Sequence, residues 1–305
     1  MLLLGGGAAV EHWCEARDFE RYASKETFAA VRGGSVRYRL IGANHASMPV
    51  VFLTGMIGSL EQWDLVQNSV GTFAPALAYD RGGSGFSTSS AHDVQQQGDE
   101  LAALLVAIGL KRPVIIVGYS ASGALARAFS VQHRQQVGAL VLVDPDLEVR
   151  IPNYHGPLRN YARTMGTCTL LSLFGVRRLA NQFGFLKFEP APQTEMDHRA
   201  LAVLQRFPHW WANDRELFEH EASERQVLAA SRIDNLPVSM FVTDGAEEGE
   251  IGRAYGRALR NDVAGPQAVL KGLGNVEHSL VLNNQGAVNQ IVDGIRALAL
   301  PAPHN

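Results

Sequence analysis

The sequence predicts an α/β protein in which a mostly parallel sheet is covered by helices on both faces. Three observations carry this reading. Short, fully apolar runs (Val50-Val51-Phe52-Leu53, Val114-Ile115-Ile116-Val117 and Leu140-Val141-Leu142-Val143) lack the alternation of a half-exposed strand, so both of their faces are buried. Between them, apolar residues recur at helical spacing, as in Leu101, Leu104, Leu105 and Ile108. Strand-like and helix-like segments alternate along most of the chain, the pattern that gives parallel strands joined by crossover helices.

Taken in order, residues 11–27 carry mixed charge (Glu11, Glu15, Arg17, Asp18, Glu20, Arg21) and read as a surface helix or arm. Phe28-Ala29-Ala30-Val31 and Ser35-Val36-Arg37-Tyr38-Arg39-Leu40, split by Gly33-Gly34, read as an antiparallel hairpin. The strand at 49–53 runs into Thr54-Gly55-Met56-Ile57-Gly58-Ser59, a flexible loop at its carboxyl end. A helix is expected at 63–73, a short strand at 76–79 and a helix at 93–108. Asp80-Arg81-Gly82-Gly83-Ser84-Gly85-Phe86-Ser87 invites a dinucleotide reading, but its spacing is not Gly-x-Gly-x-x-Gly and no helix opens from it. It reads instead as a shaped structural loop.

From about 147 to 231 strand-like runs vanish, and helical spacing takes over in Leu170, Leu171, Leu173, Phe174, Val176 and Leu179, then in Leu201, Leu204, Phe207, Trp210 and Trp211, with Pro190 and Pro192 between. This is a helical insertion. Strand alternation resumes at 236–243, followed by a helix at 251–260, a strand at 267–270, the loop Gly272 to His278 and a closing helix at 285–298. The organisation is therefore an N-terminal arm (1–27), a core (28–146 and 232–305) and a helical cap (147–231).

Bulk composition removes several function classes. A chain of 305 residues with 46% hydrophobic content can bury one large core. Its formal net charge of -3 and lack of a Lys/Arg block argue against nucleic acid or an anionic membrane as partner. Residues 1–10 are apolar but have no basic flank and fall far short of the ~20 needed to span a bilayer, so no stable membrane span is expected. Cys14 and Cys168 are far apart and match no zinc or redox spacing. They read as two free thiols in a reducing compartment, which implies a cytoplasmic protein without a metal site.

The chemistry centres on Gly118-Tyr119-Ser120-Ala121-Ser122, a Gly-x-Ser-x-small turn between the strand at 114–117 and a helical run, Ala124-Leu125-Ala126-Arg127-Ala128-Phe129. So abrupt a strand-to-helix turn strains the middle residue and demands small neighbours two before and two after. Gly118 and Ser122 meet that demand. The Ser120 hydroxyl is then held above the sheet edge, over a helix N-terminus whose N–H groups favour developing negative charge.

With these residues in view, the chain resembles the α/β-hydrolase superfamily over about residues 28–300. The matching features occur in the family's order: Thr54-Gly55-Met56, then the 79–87 stretch Tyr79-Asp80-Arg81-Gly82-Gly83-Ser84-Gly85-Phe86-Ser87, the Ser120 turn, Val143-Asp144-Pro145, and His278. Residues 63–144 look most similar to bacterial serine esterases and lipases. The resemblance implies an α/β-hydrolase fold with a mostly parallel eight-stranded sheet, flanking helices and a helical cap. It implies Ser120 as nucleophile and His278 as its base, with Met56 and Ala121 N–H groups as oxyanion donors. For the acid that orients His278 it offers Asp144, then Glu248, then Asp244. The cap would supply an apolar pocket from among Leu170, Leu171, Phe174, Trp210 and Trp211.

Two departures stand out: Thr54 sits where a His often precedes the glycine, and Ser122 replaces the second glycine of the turn. Neither removes a backbone donor. The implied activity is hydrolysis of a small-molecule carboxylic ester through an acyl-enzyme, with no cofactor. Its rivals are lactone or amide hydrolysis or acyl transfer on the same residues, and a ligand-binding protein without turnover. Epoxide- and haloalkane-type chemistry normally uses a carboxylate nucleophile, which Ser120 does not supply.

Overall fold

A computed structural model of the chain describes residues 2–145, 155–185, 194–219, 222–223, 233, 235–243, 257, 259–264 and 268–300. Its strands are β1 (Thr27–Val31), β2 (Gly34–Ile41), β3 (Val50–Leu53), β4 (Ala76–Tyr79), β5 (Val114–Tyr119), β6 (Val137–Val143), β7 (Val238–Val242) and β8 (Val269–Gly272). They form one eight-stranded sheet in the order β1-β2-β4-β3-β5-β6-β7-β8. The β1–β2 hairpin and the β2–β4 pairing are antiparallel, and every pairing from β4 across to β8 is parallel. This is the α/β-hydrolase fold the sequence implies.

The apolar runs are strands because each face of the sheet has its own core. In β5, Ile116 points into the layer containing Leu101, Leu104, Leu105, Ala126 and Phe129, from α3 (Val94–Ala107) and α4 (Ser122–Gln132). Its neighbours Ile115 and Val117 point the other way. They meet Val66 and Val70 of α2 (Asp64–Val70) and Ile291, Val292 and Ile295 of α9 (Gln285–Ala299). The period of two along the strand thus feeds two layers, and each fully buried aliphatic contributes about 1.5–3 kcal/mol.

Local boundaries follow the sequence with small shifts. Asp93 caps α3 by accepting from Gln96 N–H at 2.8 Å, so the helix starts one residue later than the periodicity. The helix expected at 63–73 is a 3₁₀ turn (Leu60–Trp63) followed by α2, which stops at Gly71. A Cβ on Gly71 would meet the Ile41 side chain at 2.6 Å, so this close approach needs glycine. Strand β7 starts at Val238 because Pro237 has no N–H to give, although its carbonyl accepts from Leu140 N–H. Strand β8 lies two residues later than expected and is largely exposed, as an edge strand can be. The helix read at 251–260 falls almost wholly outside the described residues.

The remaining helices are α5 (His155–Leu173), α6 (Val176–Gln182), α7 (Glu195–Gln205) and α8 (Phe207–Phe218), with α1 (Leu2–Tyr22) at the N-terminus. The charges of α1 are not merely solvated. Buried Glu11 and Asp18 accept from Arg178 of α6 at 2.8 and 2.7 Å, and Glu15 accepts from Phe207 N–H at 2.8 Å. The arm therefore braces the helical layer. Among the described residues, no helix is long and apolar enough to cross a membrane.

Candidate active site

The turn between β5 and α4 carries Ser120 with φ at +54°, the left-handed backbone into which so abrupt a strand-to-helix turn strains its middle residue. A Cβ on Gly118 would sit 2.8 Å from both Ala126 Cβ and Ser122 O, so the strand and helix close up only over a glycine. Ser122 stands where a second glycine would be usual, and its hydroxyl has taken work of its own. It accepts from Tyr119 N–H at 2.9 Å and donates to Leu53 O at 2.8 Å, tying the turn to the end of β3.

His278 opens a 3₁₀ turn (His278–Leu280) after β8. Its Nε2 accepts from the Ser120 hydroxyl at 2.8 Å, and its Nδ1–H donates to Asp144 Oδ2 at 2.6 Å. Asp144 ends β6 in a left-handed conformation, with φ at +40°. Its Oδ1 also accepts from Thr243 N–H at 2.9 Å, and the Thr243 hydroxyl lies 3.0 Å from Oδ2. Burial pushes the Asp144 carboxyl up, but the hydrogen bonds from His278 and Thr243 outweigh it and hold it below the ordinary 3.8. Tyr119 stacks on the imidazole with centroids 5.1 Å apart, and its hydroxyl donates to the His278 carbonyl. Among the described residues Asp144 is the acid that meets His278; the sequence's other two candidates, Glu248 and Asp244, lie outside the described residues.

The 54–57 loop packs beside this row. A Cβ on Gly55 would lie 3.3 Å from Ser120 Cβ. Three flanking N–H groups are occupied: Gly55 donates to Gln62 Oε1 at 3.2 Å, Ile57 to Asn213 Oδ1 at 2.7 Å, and Ser120 to Val143 O at 3.1 Å. Among the described residues, the N–H groups of Met56 and Ala121 donate to no protein atom. Ala121 follows Ser120 directly in the chain, and Met56 follows Gly55, the residue whose Cβ position lies 3.3 Å from Ser120 Cβ.

The glycine loop after β4 is the scaffold for these parts. Asp80, fully buried, accepts from Arg37 Nε at 2.7 Å, Leu60 N–H at 2.8 Å and Phe86 N–H at 2.9 Å. Arg37 also donates to Glu61 at 2.8 Å, so one buried guanidinium binds two carboxylates. A Cβ on Gly85 would strike the Asp80 carboxylate, which explains a glycine with φ at +57° there. Arg81 reaches the opposite way. It donates to the carbonyl and hydroxyl of Thr54 and, at 2.8 Å, to Glu216 of α8.

The side chains named for a cap pocket separate. Trp210 is buried in a cluster with Met165, Cys168 and Leu217, against which Met56 and Ile57 pack. Trp211, the next residue on the helix, points about 100° away and is 49% exposed, stacked on Phe207. Leu170 is 57% exposed and Leu171 is also exposed. Phe174 is half-buried, with its carbonyl against Gly7 of α1. Only Trp210 joins the cluster at the loop.

Several residues went unread in the sequence: Tyr119, Thr243, Arg81, and the α8 side chains His209, Asn213 and Glu216. The signal for the last three was present as polar residues spaced four and three apart, which places them on one face of a helix.

A model of the alpha/beta hydrolase family matches residues 50–291. The chain belongs to the alpha/beta hydrolase family. Among solved members of this fold it is similar to the Cif epoxide hydrolase of Acinetobacter nosocomialis, at 15% identity and TM-score 0.68, covering 94% of this chain and 96% of that one. A carboxylesterase structure from Nitrososphaera gargenis aligns at 18% identity and TM-score 0.61, covering 89% and 98%. A haloalkane dehalogenase variant from Bradyrhizobium elkanii aligns at 18% identity and TM-score 0.62, covering 89% and 96%. Such low identities speak for the fold alone.

Among curated proteins, the 1-acylglycerol-3-phosphate O-acyltransferase ABHD5 of Rattus norvegicus is 31% identical over 128 residues, 40% of this chain and 36% of that one. The Homo sapiens protein of the same name is 34% identical over 103 residues, 32% of this chain and 29% of that one. These matches span roughly a third of the relatives' length.

Proposed function

We propose that the protein is a serine hydrolase that cleaves a small-molecule carboxylic ester through an acyl-enzyme. The observation that carries this reading is the continuous row from Ser120 Oγ through His278 to Asp144, at 2.8 and 2.6 Å. A serine hydroxyl is a weak nucleophile at neutral pH and needs a base within hydrogen-bond reach. As Ser120 Oγ attacks the ester carbonyl carbon, its proton passes to His278 Nε2. Asp144 keeps Nδ1–H pointing its way, so Nε2 is the free acceptor, and it stabilises the imidazolium that forms. The carbonyl oxygen becomes an oxyanion held by the Met56 and Ala121 amides, each such donor being worth about a hundred- to a thousandfold in rate. His278 then returns the proton to the leaving alkoxide. In the second half a water attacks the acyl carbon, gives its proton to His278, and Ser120 leaves with it. Atoms and charge balance without a cofactor.

A second reading, acyl transfer, draws support from the printed name of the partial relatives above. It differs only in that an alcohol replaces water in the second half. The epoxide and haloalkane chemistries named for structural neighbours are not adopted, because Ser120 stands where a carboxylate nucleophile would be needed. A reducing, cytoplasmic setting fits the two free thiols, Cys14 and Cys168.

The test is hydrolysis of p-nitrophenyl esters from acetate to decanoate, with Ser120→Ala as control. Turnover lost in Ser120→Ala supports the reading, and the chain-length optimum reports the acyl pocket. Adding a short alcohol distinguishes the second reading by the appearance of transesterified product. Folded protein without turnover on any ester sinks the hydrolase reading.

A further inference from the structure

The proposed role of Met56, on which this inference rests, requires its N–H to be held in a fixed place relative to Ser120. Little within the 54–57 loop itself does so. Ile57 is a β-branched residue with φ at +63°, a conformation that persists only where surroundings over-determine it. Both of its main-chain polar atoms are engaged by α8. Asn213 Oδ1 accepts from Ile57 N–H at 2.7 Å, and His209 Nε2 lies 3.1 Å from Ile57 O. Gly85 N–H donates to His209 Nδ1 at 3.1 Å, so that nitrogen is the acceptor and Nε2 carries the proton given to Ile57. On the other side of Met56, Arg81 holds the Thr54 carbonyl and hydroxyl, and its Nη2 is in turn held by Glu216 at 2.8 Å. His209, Asn213 and Glu216 share one face of α8.

We infer that α8 is a template that holds the 54–57 loop in its reactive shape, with Asn213 and His209 as positioning residues and Arg81–Glu216 as a brace. The two oxyanion donors then belong to different supports. Ala121 rides on the β5–α4 turn, whereas Met56 is placed by a helix of the cap region. Loosening α8 withdraws one donor while Ser120, His278 and Asp144 stay connected. Burial keeps His209 neutral, its pKa pushed down to about 3, so the acceptor at Nδ1 persists at working pH.

The experiment compares Asn213→Ala and Glu216→Ala with the parent in ester hydrolysis and in inhibition by an alkyl trifluoromethyl ketone. The ketone becomes a tetrahedral oxyanion adduct on Ser120 and therefore reads the donors directly. The template predicts that kcat falls about ten- to a hundredfold in Asn213→Ala with KM little changed, as partial loss of one donor would give. Inhibitor affinity should fall by the same factor. Asn213→Asp, which keeps the acceptor for Ile57 N–H, should recover most of the rate.

Unchanged kcat and inhibitor affinity with only a lower melting temperature would overturn the inference and leave α8 a packing element. If Asn213→Ala does not fold, Glu216→Ala carries the same readouts, and a parent-like kcat and inhibitor affinity there overturns it too. Ser120→Ala, run in parallel, separates the two ideas. Its inactivity beside an unaffected Asn213→Ala removes the template alone, whereas its full activity removes the ester-hydrolase reading and the template with it.

Discussion

The Ser122 hydroxyl donates to the Leu53 carbonyl at 2.8 Å, joining the turn that carries Ser120 to the strand that leads into the 54–57 loop. A glycine there would leave the two pieces untied, so this departure from the usual pattern adds a connection. In Ser122→Ala, the buried Tyr119 N–H loses its acceptor, which costs about 1–3 kcal/mol. Urea unfolding should register that loss, and kcat should drop several-fold through the displaced Ser120. An unchanged unfolding midpoint would mean that the turn stands without the tie.

Asp144 takes hydrogen bonds from His278 and Thr243, so its replacement by asparagine keeps the shape while removing the charge. Turnover should fall by about a thousand- to ten-thousandfold, because the imidazole loses both its fixed tautomer and its counter-charge. Thermal unfolding should show the variant folded. Glu248→Gln, measured beside it, should stay within a few-fold of the parent.

Glu100, on α3, is buried, and neither carboxylate oxygen has a hydrogen-bond partner meeting ordinary geometry among the described residues. Burial pushes its pKa from 4.5 up to about 7. The sign follows from proton counting: between these values the folded state keeps a proton that the unfolded chain has released. Stability from this group is therefore complete below about pH 4.5 and is lost as pH rises through about 7. Glu100→Gln should leave stability at pH 4.5 nearly unchanged and raise it at pH 8 by up to about 3 kcal/mol. A gain of equal size at both pH values would contradict the assignment.

His209 acts at the acid end. Its folded pKa is pushed from 6.5 down to about 3, chiefly by burial. Below pH 6.5 the unfolded chain takes up a proton that the folded state refuses, so stability should fall by about 1.4 kcal/mol per pH unit down to about pH 3. Asp144, held below its ordinary 3.8, adds a loss only at the bottom of that range. Because Glu100 contributes the opposite slope between about pH 7 and 4.5, urea titrations from pH 7 to 4 should show this loss in Glu100→Gln, and adding His209→Gln should flatten it.

What the sequence made legible was whatever chemistry writes locally. Val114 to Val117 announced a doubly buried strand, and Gly118, Ser120 and Ser122 announced a strained turn, because apolar periodicity and the size limits of a turn are near-neighbour properties. Asp80 to Ser87 was legible as a shaped loop for the same reason. The partner of Asp80 was not, since Arg37 lies in β2 and looks like any strand arginine until the sheet pairs β2 with β4. Arg81 and Glu216 are separated by 135 residues, and no spacing rule links them. Trp210 and Trp211 were read together as pocket residues, but consecutive helical positions face different ways, and only a packed helix says which faces inward. The charges of α1 were read as those of a surface helix or arm, and that Glu11 and Asp18 are buried against Arg178 was not legible, since this partner lies in α6.

The central claim is that Ser120 is the nucleophile of a relay completed by His278. It is tested most directly by treating the folded protein with a fluorophosphonate and mapping the adduct by peptide mass spectrometry. The account predicts one stoichiometric adduct on Ser120, absent in Ser120→Ala and strongly slowed in His278→Ala, with ester turnover falling in proportion to the labelling. Labelling on another residue, or turnover that survives Ser120→Ala, would contradict it.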